Sequence, residues 1–434
     1  MFSKMAAAAD RKRAKILGSE KLASLSPQDE IALRNVGVPF CAHQQACEDC
    51  PESCADGEDS GSPEYLSESQ VRLWAKQDID LSDVSLLSIA RPDPFRTHAL
   101  ISTNGKTDWV REVSEESGSL AEQFRAFAEA DKESDSSSKG TKNNGTSPKL
   151  PDGVWEGSSA SRVVFHNSSH FSTSSDNANE DGASNHTLML FPSFQLLTNI
   201  PAPSKAGTKG GNDKVLRAIW DLYLRGDAER VGEEERELIR KQGVRRWALP
   251  YRAVVLLCSH KKRDARCAIA ANLLASALRH HAEEAGWSVD ERNDSSSVIG
   301  HDSSSDTDWG ALPPNDDGRK WRAQAAEGKG PDDEGAGTLG IFKISHIGGH
   351  KYSGNVIIYF PSGAGVWYGR VSPVRDSKLV FEKTIVQGFV IPEFLRAGIN
   401  LVRSSMSEED ELVSGTKEMM LGKQALPKGS LVRW

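Results

Sequence analysis

The chain has 434 residues, of which 38% are hydrophobic, and its mean hydropathy is −0.49. This length accommodates two domains of ordinary size, and the low hydropathy predicts that part of the chain lies outside any packed core. The net charge of −8 argues against non-specific nucleic-acid binding, which requires a basic face. No apolar run approaches the roughly 18 residues of a membrane span.

Residues 1–65 are polar and carry a cluster of cysteines with C-x5-C-x2-C-x3-C spacing. Its members are Cys41, Cys47, Cys50 and Cys54. Four thiols at this spacing could bind zinc or an iron–sulfur cluster. The acidic side chains among them would disfavour clustered thiolates, and a flexible, reduced segment is the competing interpretation. No apolar region typical of a secretory signal is visible near residue 1, so we expect a cytoplasmic protein without a disulfide framework.

Residues 66–205 are predicted to form an α/β region that is interrupted by loops. Strands are expected at Leu100–Ser102 and Arg162–Phe165, a helix at Ser119–Ala130, and a buried strand interrupted by Pro192 within Thr187–Ile200. Residues 131–148 and 166–186 are rich in Ser, Asn and Gly, which predicts disordered loops.

Residues 206–250 are predicted to form a helical connector between two domains. The apolar side chains of Val215, Leu216 and Ile219 recur at helical spacing, so they would share one face of a helix. Gly226 is expected to divide the segment into two helices.

Residues 251–403 are predicted to form the second domain, and residues 404–434 a flexible tail. The expected elements are a strand at Arg252–Leu257, a helix at 268–285, strands at 287–292, 339–345, 356–360 and 365–371, and a helix at 373–387. Residues 293–337 are rich in Asp, Ser, Gly and Pro and are expected to be a disordered insertion. A β-α-β unit followed by β-β-α is the thioredoxin arrangement, so the predicted class is α/β.

Two short motifs in this second domain contain residues typical of metal ligands. The run CSHKKRDARC places Cys258 at the end of the buried strand and Cys267 at the start of the helix. A helix N-terminus favours a thiolate, because its dipole and unpaired N–H groups attract an anion. The run HIGGHKYSGN contains His346 and His350, and the two glycines between them favour a tight loop over a helix. Two thiolates and two imidazoles are enough to hold one metal centre.

The spacing leaves two kinds of metal centre open. Structural zinc sites usually pair cysteines across two to four residues, whereas eight residues separate Cys258 from Cys267. The spacing of the histidines would suit zinc. A [2Fe–2S] cluster needs two ligands on each iron, and ligation by two histidines raises its potential relative to four cysteines. Histidine ligands could also take up a proton on reduction, which would couple electron and proton transfer.

Both motifs resemble those of the sucrase/ferredoxin-like family, also called thioredoxin-like ferredoxins. The resemblance also includes Thr107–Trp109, Leu188–Leu197 and Trp367–Val371, and extends over about residues 90–130, 187–285 and 338–403. It implies a thioredoxin-like ferredoxin fold in the C-terminal half and a degenerate, related α/β region in the N-terminal half. It further implies a [2Fe–2S] cluster held by Cys258, Cys267, His346 and His350.

The resemblance extends to the final residue. Trp434 resembles the terminal tryptophan of tails that the cytosolic iron–sulfur targeting machinery recognises, although Arg433 stands where such tails often carry an acidic or small residue. It implies this machinery as a partner and agrees with a cytoplasmic location.

The leading functional hypothesis is an electron carrier, with no catalytic residue assigned and an unknown redox partner. A zinc-stabilised interaction module and a thiol–disulfide oxidoreductase are the alternatives. Thioredoxin-type chemistry requires Cys-x-x-Cys at the strand–helix junction, and this chain has Cys-x8-Cys there. We also expect His260 either to hydrogen-bond near the centre or to face solvent, and Arg263 to pair with Asp264. No function is assigned to His280 and His281.

Overall fold

The computed structural model describes residues 22–41, 63–82, 84–135, 150–172, 185–204, 212–293, 337–401, 420–421 and 424–425. Within these segments a large mixed sheet is flanked by helices, so the α/β class is confirmed. The segments contain no helix that is both long and apolar enough to cross a membrane.

The strands are numbered in chain order. They are β1 (Thr97–Ser102), β2 (Val154–Trp155), β3 (Val163–Ser168), β4 (His186–Phe191), β5 (Gln195–Ile200), β6 (Arg245–Ala248), β7 (Ala253–Cys258), β8 (Ser288–Asp290), β9 (Thr338–Ile344), β10 (Val356–Tyr359), β11 (Gly365–Tyr368), β12 (Leu395–Ile399), β13 (Met420–Leu421) and β14 (Gln424–Ala425).

The helices are numbered in the same way. They are α1 (Pro27–Asn35), α2 (Glu68–Ala75), α3 (Leu86–Ile89), α4 (Leu120–Asp135), α5 (Asn212–Ile219), α6 (Glu233–Lys241), α7 (Ala265–Glu284) and α8 (Asp376–Leu379). Wider π-type turns extend α5 over Trp220–Leu224 and α8 over Val380–Val386. Short 3-10 turns lie at Val113–Glu115, Gly157–Ser159, Ala228–Arg230, His350–Tyr352 and Pro392–Phe394.

Twelve of these strands form one continuous sheet in the order β2-β12-β11-β10-β7-β9-β3-β1-β4-β5-β6, with β8 paired to β9. Strands β13 and β14 pair separately as an antiparallel hairpin.

The second half of the sheet has a simple chain path. Strand β7 runs parallel to β9, and the long helix α7 lies between them in sequence. Strand β10 then pairs antiparallel with β7 on its other side, and β11 pairs antiparallel with β10. The apolar residues of β7 are all buried, as expected for a central strand that is covered on both faces.

The first half of the sheet repeats this path. Strand β1 pairs parallel with β3 and antiparallel with β4, and β4 pairs antiparallel with β5. Helix α4 lies between β1 and β3 in sequence, just as α7 lies between β7 and β9. The order β5-β4-β1-β3 is therefore the counterpart of β11-β10-β7-β9.

The two halves join where β3 meets β9, with Ser168 opposite Ile344. The backbone N–H of Ser169 donates to the carbonyl of Lys343 over 2.8 Å, and that of Ser345 donates to the carbonyl of Asn167 over 2.8 Å. Strands β3 and β9 occupy equivalent positions, each at one edge of its own half of the sheet. The two edge strands pair with each other, so a single sheet runs through both halves.

Most predicted elements are confirmed, and the differences have local causes. The segment predicted as a single interrupted strand at Thr187–Ile200 is a hairpin of β4 and β5 around Pro192. Residues 206–250 are more than a connector, because β6 pairs with β5 and the apolar face of α5 packs in the core of the first half.

The predicted disorder at residues 131–148 and 166–186 is wrong at the ends of those ranges. Helix α4 continues to Asp135, because the carboxylate of Asp131 is bound by Arg217 at 2.6 Å and by the indole N–H of Trp220 at 2.8 Å. Strand β3 continues to Ser168, and β4 begins at His186. Residues 136–149, 173–184 and most of the predicted insertion at 293–337 lie outside the described residues.

Gly354 permits a close backbone approach that fixes the start of β10. Its φ is +92°, and its carbonyl accepts a 3.2 Å hydrogen bond from the N–H of Val371. A Cβ at this position would collide with the backbone of Val371. Gly286 has a similar φ of +76° but open space around the Cβ position.

We therefore predict that Gly354→Ala lowers the free energy of unfolding by about 3 kcal/mol or more, since overpacking adds to the cost of the left-handed backbone. Gly286→Ala should cost only about 1 kcal/mol, the backbone contribution alone. Chemical denaturation of the two variants measures the difference. Equal losses would contradict the packing explanation.

Candidate metal centre

The parallel pairing of β7 with β9 positions the cysteine and histidine motifs. Cys258, the last residue of β7, lies opposite Ile344, the last residue of β9. Parallel strands end at the same edge of a sheet, so the loop that follows β9 and contains His346 lies beside Cys258. Cys267 is the third residue of α7, whose first turn returns to the same edge.

Three of the four predicted ligands converge. The sulfurs of Cys258 and Cys267 and one ring nitrogen of His346 all lie within 4.8 Å of one another. Both cysteines are buried, with 2% and 1% of their surfaces exposed, and they form no disulfide. His346 is half-buried. His346 thus joins one donor cluster with two cysteines that precede it by 79 and 88 positions.

The two thiols have opposite proton affinities. The hydrogen bond from Cys267 is the main influence that lowers the pKa of the Cys258 thiol well below its usual range, and His346 and the backbone of Ile347 contribute further. The same hydrogen bond, together with burial, raises the pKa of the Cys267 thiol. The lowered pKa of the Cys258 thiol favours its thiolate form, which is the form that binds a metal cation.

A hydrogen bond to His260 fixes the backbone of His346. The backbone N–H of His346 donates to Nδ1 of His260 over 3.3 Å, and Nε2 of His260 lies 3.3 Å from the carbonyl of Trp109. His260 is buried, so the first of its two expected roles is the one observed. Among the described residues, the buried Nδ1 of His346 has no hydrogen-bond partner, which leaves that nitrogen free for a ligand.

His350 lies next to His346 but outside the group of three. The two ring centroids are 5.5 Å apart and the planes are inclined by 37°. Both histidines lie on the loop between β9 and β10, as predicted, and Gly348 and Gly349 have φ values of +79° and +69°. His350 is exposed, so it forms the solvent side of the site.

Arg396 and Asn355 hold this loop from the opposite side. Arg396 donates to Oδ1 of Asn355 over 2.6 Å, and the amide of Asn355 donates to the carbonyl of Gly349 over 3.0 Å. A Cβ on Gly349 would lie 2.6 Å from Nη2 of Arg396, so only glycine leaves room for the guanidinium. The carbonyl of Ala90 accepts two further hydrogen bonds from Arg396, at 2.8 and 3.1 Å.

Arg396 also brings positive charge to the cysteines. Burial lowers the pKa of its guanidinium to about 10, and the nearby Cys258 and Cys267 are the main groups that oppose this shift. The guanidinium remains charged at neutral pH. None of the described carboxylates forms an ion pair with it, and Cys258, Cys267 and Tyr352 are the groups whose negative forms would compensate its charge.

A buried chain of polar groups reaches the centre from the first half of the molecule. Nδ1 of His98 lies 3.0 Å from the hydroxyl of Tyr359, and Nε2 of His98 lies 2.9 Å from Nδ1 of His166. His166 in turn bonds to the backbone of His346, and burial lowers its pKa to about 3. Both imidazoles are therefore neutral.

Sequence reasoning missed Arg396, Asn355, His98 and His166. A lone arginine within the apolar run LRAGI of β12 was an available signal, because a charged residue in a buried strand requires partners. The histidines of β1 and β3 carried no comparable signal.

The predicted pairing of Arg263 with Asp264 is wrong. Arg263 pairs with Glu112, and Asp264 caps α7 and pairs with Arg266 at 2.7 Å. The N-cap role orients the Asp264 carboxylate toward the first turn of the helix and away from Arg263.

The N-terminal cysteine cluster is only partly described. Cys41 is buried in the core beside Val390, whose carbonyl accepts a 2.9 Å hydrogen bond from the N–H of Cys41. Burial raises the pKa of the Cys41 thiol, which is the behaviour of a packed cysteine. Cys47, Cys50, Cys54 and Trp434 lie outside the described residues.

In the first half, the sheet edge that corresponds to the edge with Cys258 and His346 has no cysteine among the described residues. Ser102 ends β1 and pairs with Ser168, as Cys258 pairs with Ile344. His170 follows Ser168 by two residues, as His346 follows Ile344, and the ring of His170 is fully buried against the carbonyl of Thr187 at 3.2 Å. The first half therefore retains the path of the chain without a comparable donor set.

Comparison with known proteins gives a family match. The model of the family described as Sucrase/ferredoxin-like matches residues 89–397, more than half of the chain. No solved structure matches.

The curated relatives that match are fungal. A protein named altered inheritance of mitochondria protein 32 from Meyerozyma guilliermondii is 48% identical over 59 residues, which cover 13% of this chain and 20% of that protein. Its namesake from Debaryomyces hansenii is 27% identical over 149 residues, or 34% of this chain and 36% of the relative. Actin patches distal protein 1 from Saccharomyces cerevisiae is 29% identical over 143 residues, or 33% and 31%. The chain thus spans well under half of each of these relatives.

Proposed function

Because the chain belongs to the sucrase/ferredoxin-like family, we propose that it is an electron-transfer protein whose Cys258, Cys267, His346 and His350 hold a [2Fe–2S] cluster. The observation that carries the proposal is the convergence of two cysteine sulfurs and one imidazole nitrogen within 4.8 Å. The cluster would supply one-electron redox chemistry when bound.

The residues present fit such a group. The donor set contains the sulfur of Cys258, whose thiol pKa is lowered, a second sulfur at Cys267 and a ring nitrogen of His346. His350 lies beside His346 on a loop whose glycines allow it to approach. Thiolate and imidazole are the ligands of iron–sulfur centres with mixed coordination.

The two histidines differ in their environment, which supports a different role for each. His346 is fixed through its backbone by His260, so its ring keeps its position against the cysteines. His350 is exposed, so its ring is in contact with water. We therefore propose that His350 couples electron transfer to protonation and forms the surface that an electron partner approaches.

We also propose that the second half is a thioredoxin-like ferredoxin domain and the first half its degenerate relative. The support is the strand order β11-β10-β7-β9, in which a β-α-β unit is followed by an antiparallel hairpin and a helix. The order β5-β4-β1-β3 supports the same interpretation of the first half.

Two other functions use the same residues. A zinc-stabilised module would need the same sulfur and imidazole donors, and a colourless protein that contains zinc but no iron would identify it. A thiol–disulfide oxidoreductase is favoured by the lowered pKa of Cys258 and its hydrogen bond to Cys267. It is opposed by the burial of both sulfurs, since a disulfide substrate must reach the attacking thiolate.

We predict that His346→Ala or His350→Ala reduces or alters the cluster, because each removes one proposed iron ligand. Iron and sulfide content, the visible spectrum and the EPR signal of the reduced protein measure the result. His280→Ala is the matched control for the spectra, since this histidine lies near the far end of α7, and it should retain the visible and EPR spectra of the unmodified protein. Unchanged spectra in both ligand variants would refute the assignment.

We predict that Arg396→Met lowers the midpoint potential, because a buried positive charge stabilises the added electron. The expected fall is on the order of 59 mV or more, the value of a tenfold change for one electron. Arg396→Lys keeps the charge and should keep most of the potential. The two potentials are measured by redox titration of samples with equal iron content. A fall of the same size in both variants would indicate a role in loop geometry only.

We propose that Trp434 directs the cytosolic iron–sulfur targeting machinery to a cytoplasmic protein. We predict that its deletion lowers cluster occupancy in cells but not after chemical reconstitution, because the cluster ligands are unchanged. Iron content per chain is measured in both preparations. Equal occupancy in cells would exclude the targeting role, and a loss after reconstitution would indicate a structural one.

A further inference from the structure

A second group of metal-ligand residues lies near the C-terminal end of α7. One ring nitrogen of His280, one ring nitrogen of His281 and a carboxylate oxygen of Glu284 all lie within 4.8 Å of one another. Nε2 of His280 is 3.3 Å from the carboxylate of Glu284, and Nδ1 of His281 is 3.7 Å from it. The group is distinct from the cysteine centre, which lies at the first turn of the same helix.

The protonation of His281 follows from its neighbours. The hydroxyl of Ser377 has one hydrogen, which it donates to the carbonyl of Pro373 over 3.1 Å. Its contact of 3.2 Å with Nε2 of His281 is then made by Nε2–H as the donor. Tyr65 does not change this, because its own hydroxyl donates to the carbonyl of Val374 over 3.1 Å.

Nδ1 of His281 is therefore left with a lone pair. The side chain is only 6% exposed, and in the part of the chain that the structure describes Nδ1 has no hydrogen-bond partner. It faces the carboxylate of Glu284, another electron-pair donor, at a distance too long for a hydrogen bond. A cation bound between Nδ1 of His281 and the Glu284 carboxylate would accept an electron pair from each of them.

The surroundings favour a cation at this place. The C-terminal end of a helix carries partial negative charge, and α7 is a helix of 20 residues. The ring of Tyr65 lies 5.0 Å from that of His280 and 4.9 Å from that of His281, which holds both imidazoles in place. Lys378 is the nearby cation that opposes binding, and it pairs with Glu382 at 3.9 Å.

We propose that His280, His281 and Glu284 form a second metal site, which binds a divalent first-row ion of the Zn²⁺ class. Two imidazoles and one carboxylate are three of the four ligands that zinc takes, and the exposed side of Glu284 leaves the fourth position to water. The site does not depend on an iron–sulfur cluster.

The test is calorimetric titration of the full-length protein with Zn²⁺, compared with the variants His280→Ala and Glu284→Gln. Loss of a residue that only hydrogen-bonds to a metal ligand typically lowers metal affinity 10- to 100-fold. Loss of a direct ligand should therefore lower the Zn²⁺ affinity of this second site at least about tenfold. The cysteine centre is identical in all samples, so the difference reports on this site. Glu283→Gln is the matched control, because its carboxylate is exposed on the next residue along the helix and lies outside the group.

Thermal unfolding gives a second measurement. Zn²⁺ should raise the melting temperature of the unmodified protein by more than that of Glu284→Gln, because any stabilisation through the cysteine centre is common to both, while the two proteins melt alike without metal. Equal Zn²⁺ binding by the unmodified protein and both ligand variants would overturn the proposal. An equal loss of affinity in Glu283→Gln would also overturn it, since it would indicate non-specific binding to surface carboxylates.

Discussion

The parallel pairing of β7 with β9 is the constraint on which the candidate centre depends. It brings the ends of the two strands to one edge of the sheet, where Cys258 and the loop with His346 become neighbours. Helix α7, which lies between these strands in sequence, returns its first turn and Cys267 to the same edge. A shift of the register by two residues would move Cys258 about 7 Å along the strand relative to β9 and separate the donors.

The first half has the same chain path as the second but lacks the cysteine donors. It has a histidine, His170, at the position equivalent to His346, yet Ser102 stands where the second half has Cys258. The two halves share one sheet through the junction of β3 with β9, which lies directly before His346. The first half thereby supports the loop with His346 and His350, because His166 of β3 bonds to the backbone of His346 and His98 of β1 bonds to His166.

Buried polar groups, rather than apolar packing alone, position the loop with His346 and His350. Asn355 and Arg396 bind the backbone at Gly349 and Ala90, and His260 binds the N–H of His346. Each of these groups is buried and paired, so removal of any partner would leave an unsatisfied polar group in the core. Arg396 has a second effect, because its charge favours the negative forms of Cys258 and Cys267.

Local patterns in the sequence determined much of the molecule, because they depend on neighbours along the chain. Apolar runs predicted the buried strands, helical spacing predicted α5 and α7, and the paired glycines predicted the loop with His346 and His350. The continuity of the sheet, the support by Arg396 and the pairing of Arg263 with Glu112 arise from contacts between residues far apart in sequence. Only the tertiary structure decided these, because strand order and register choose which distant side chains meet.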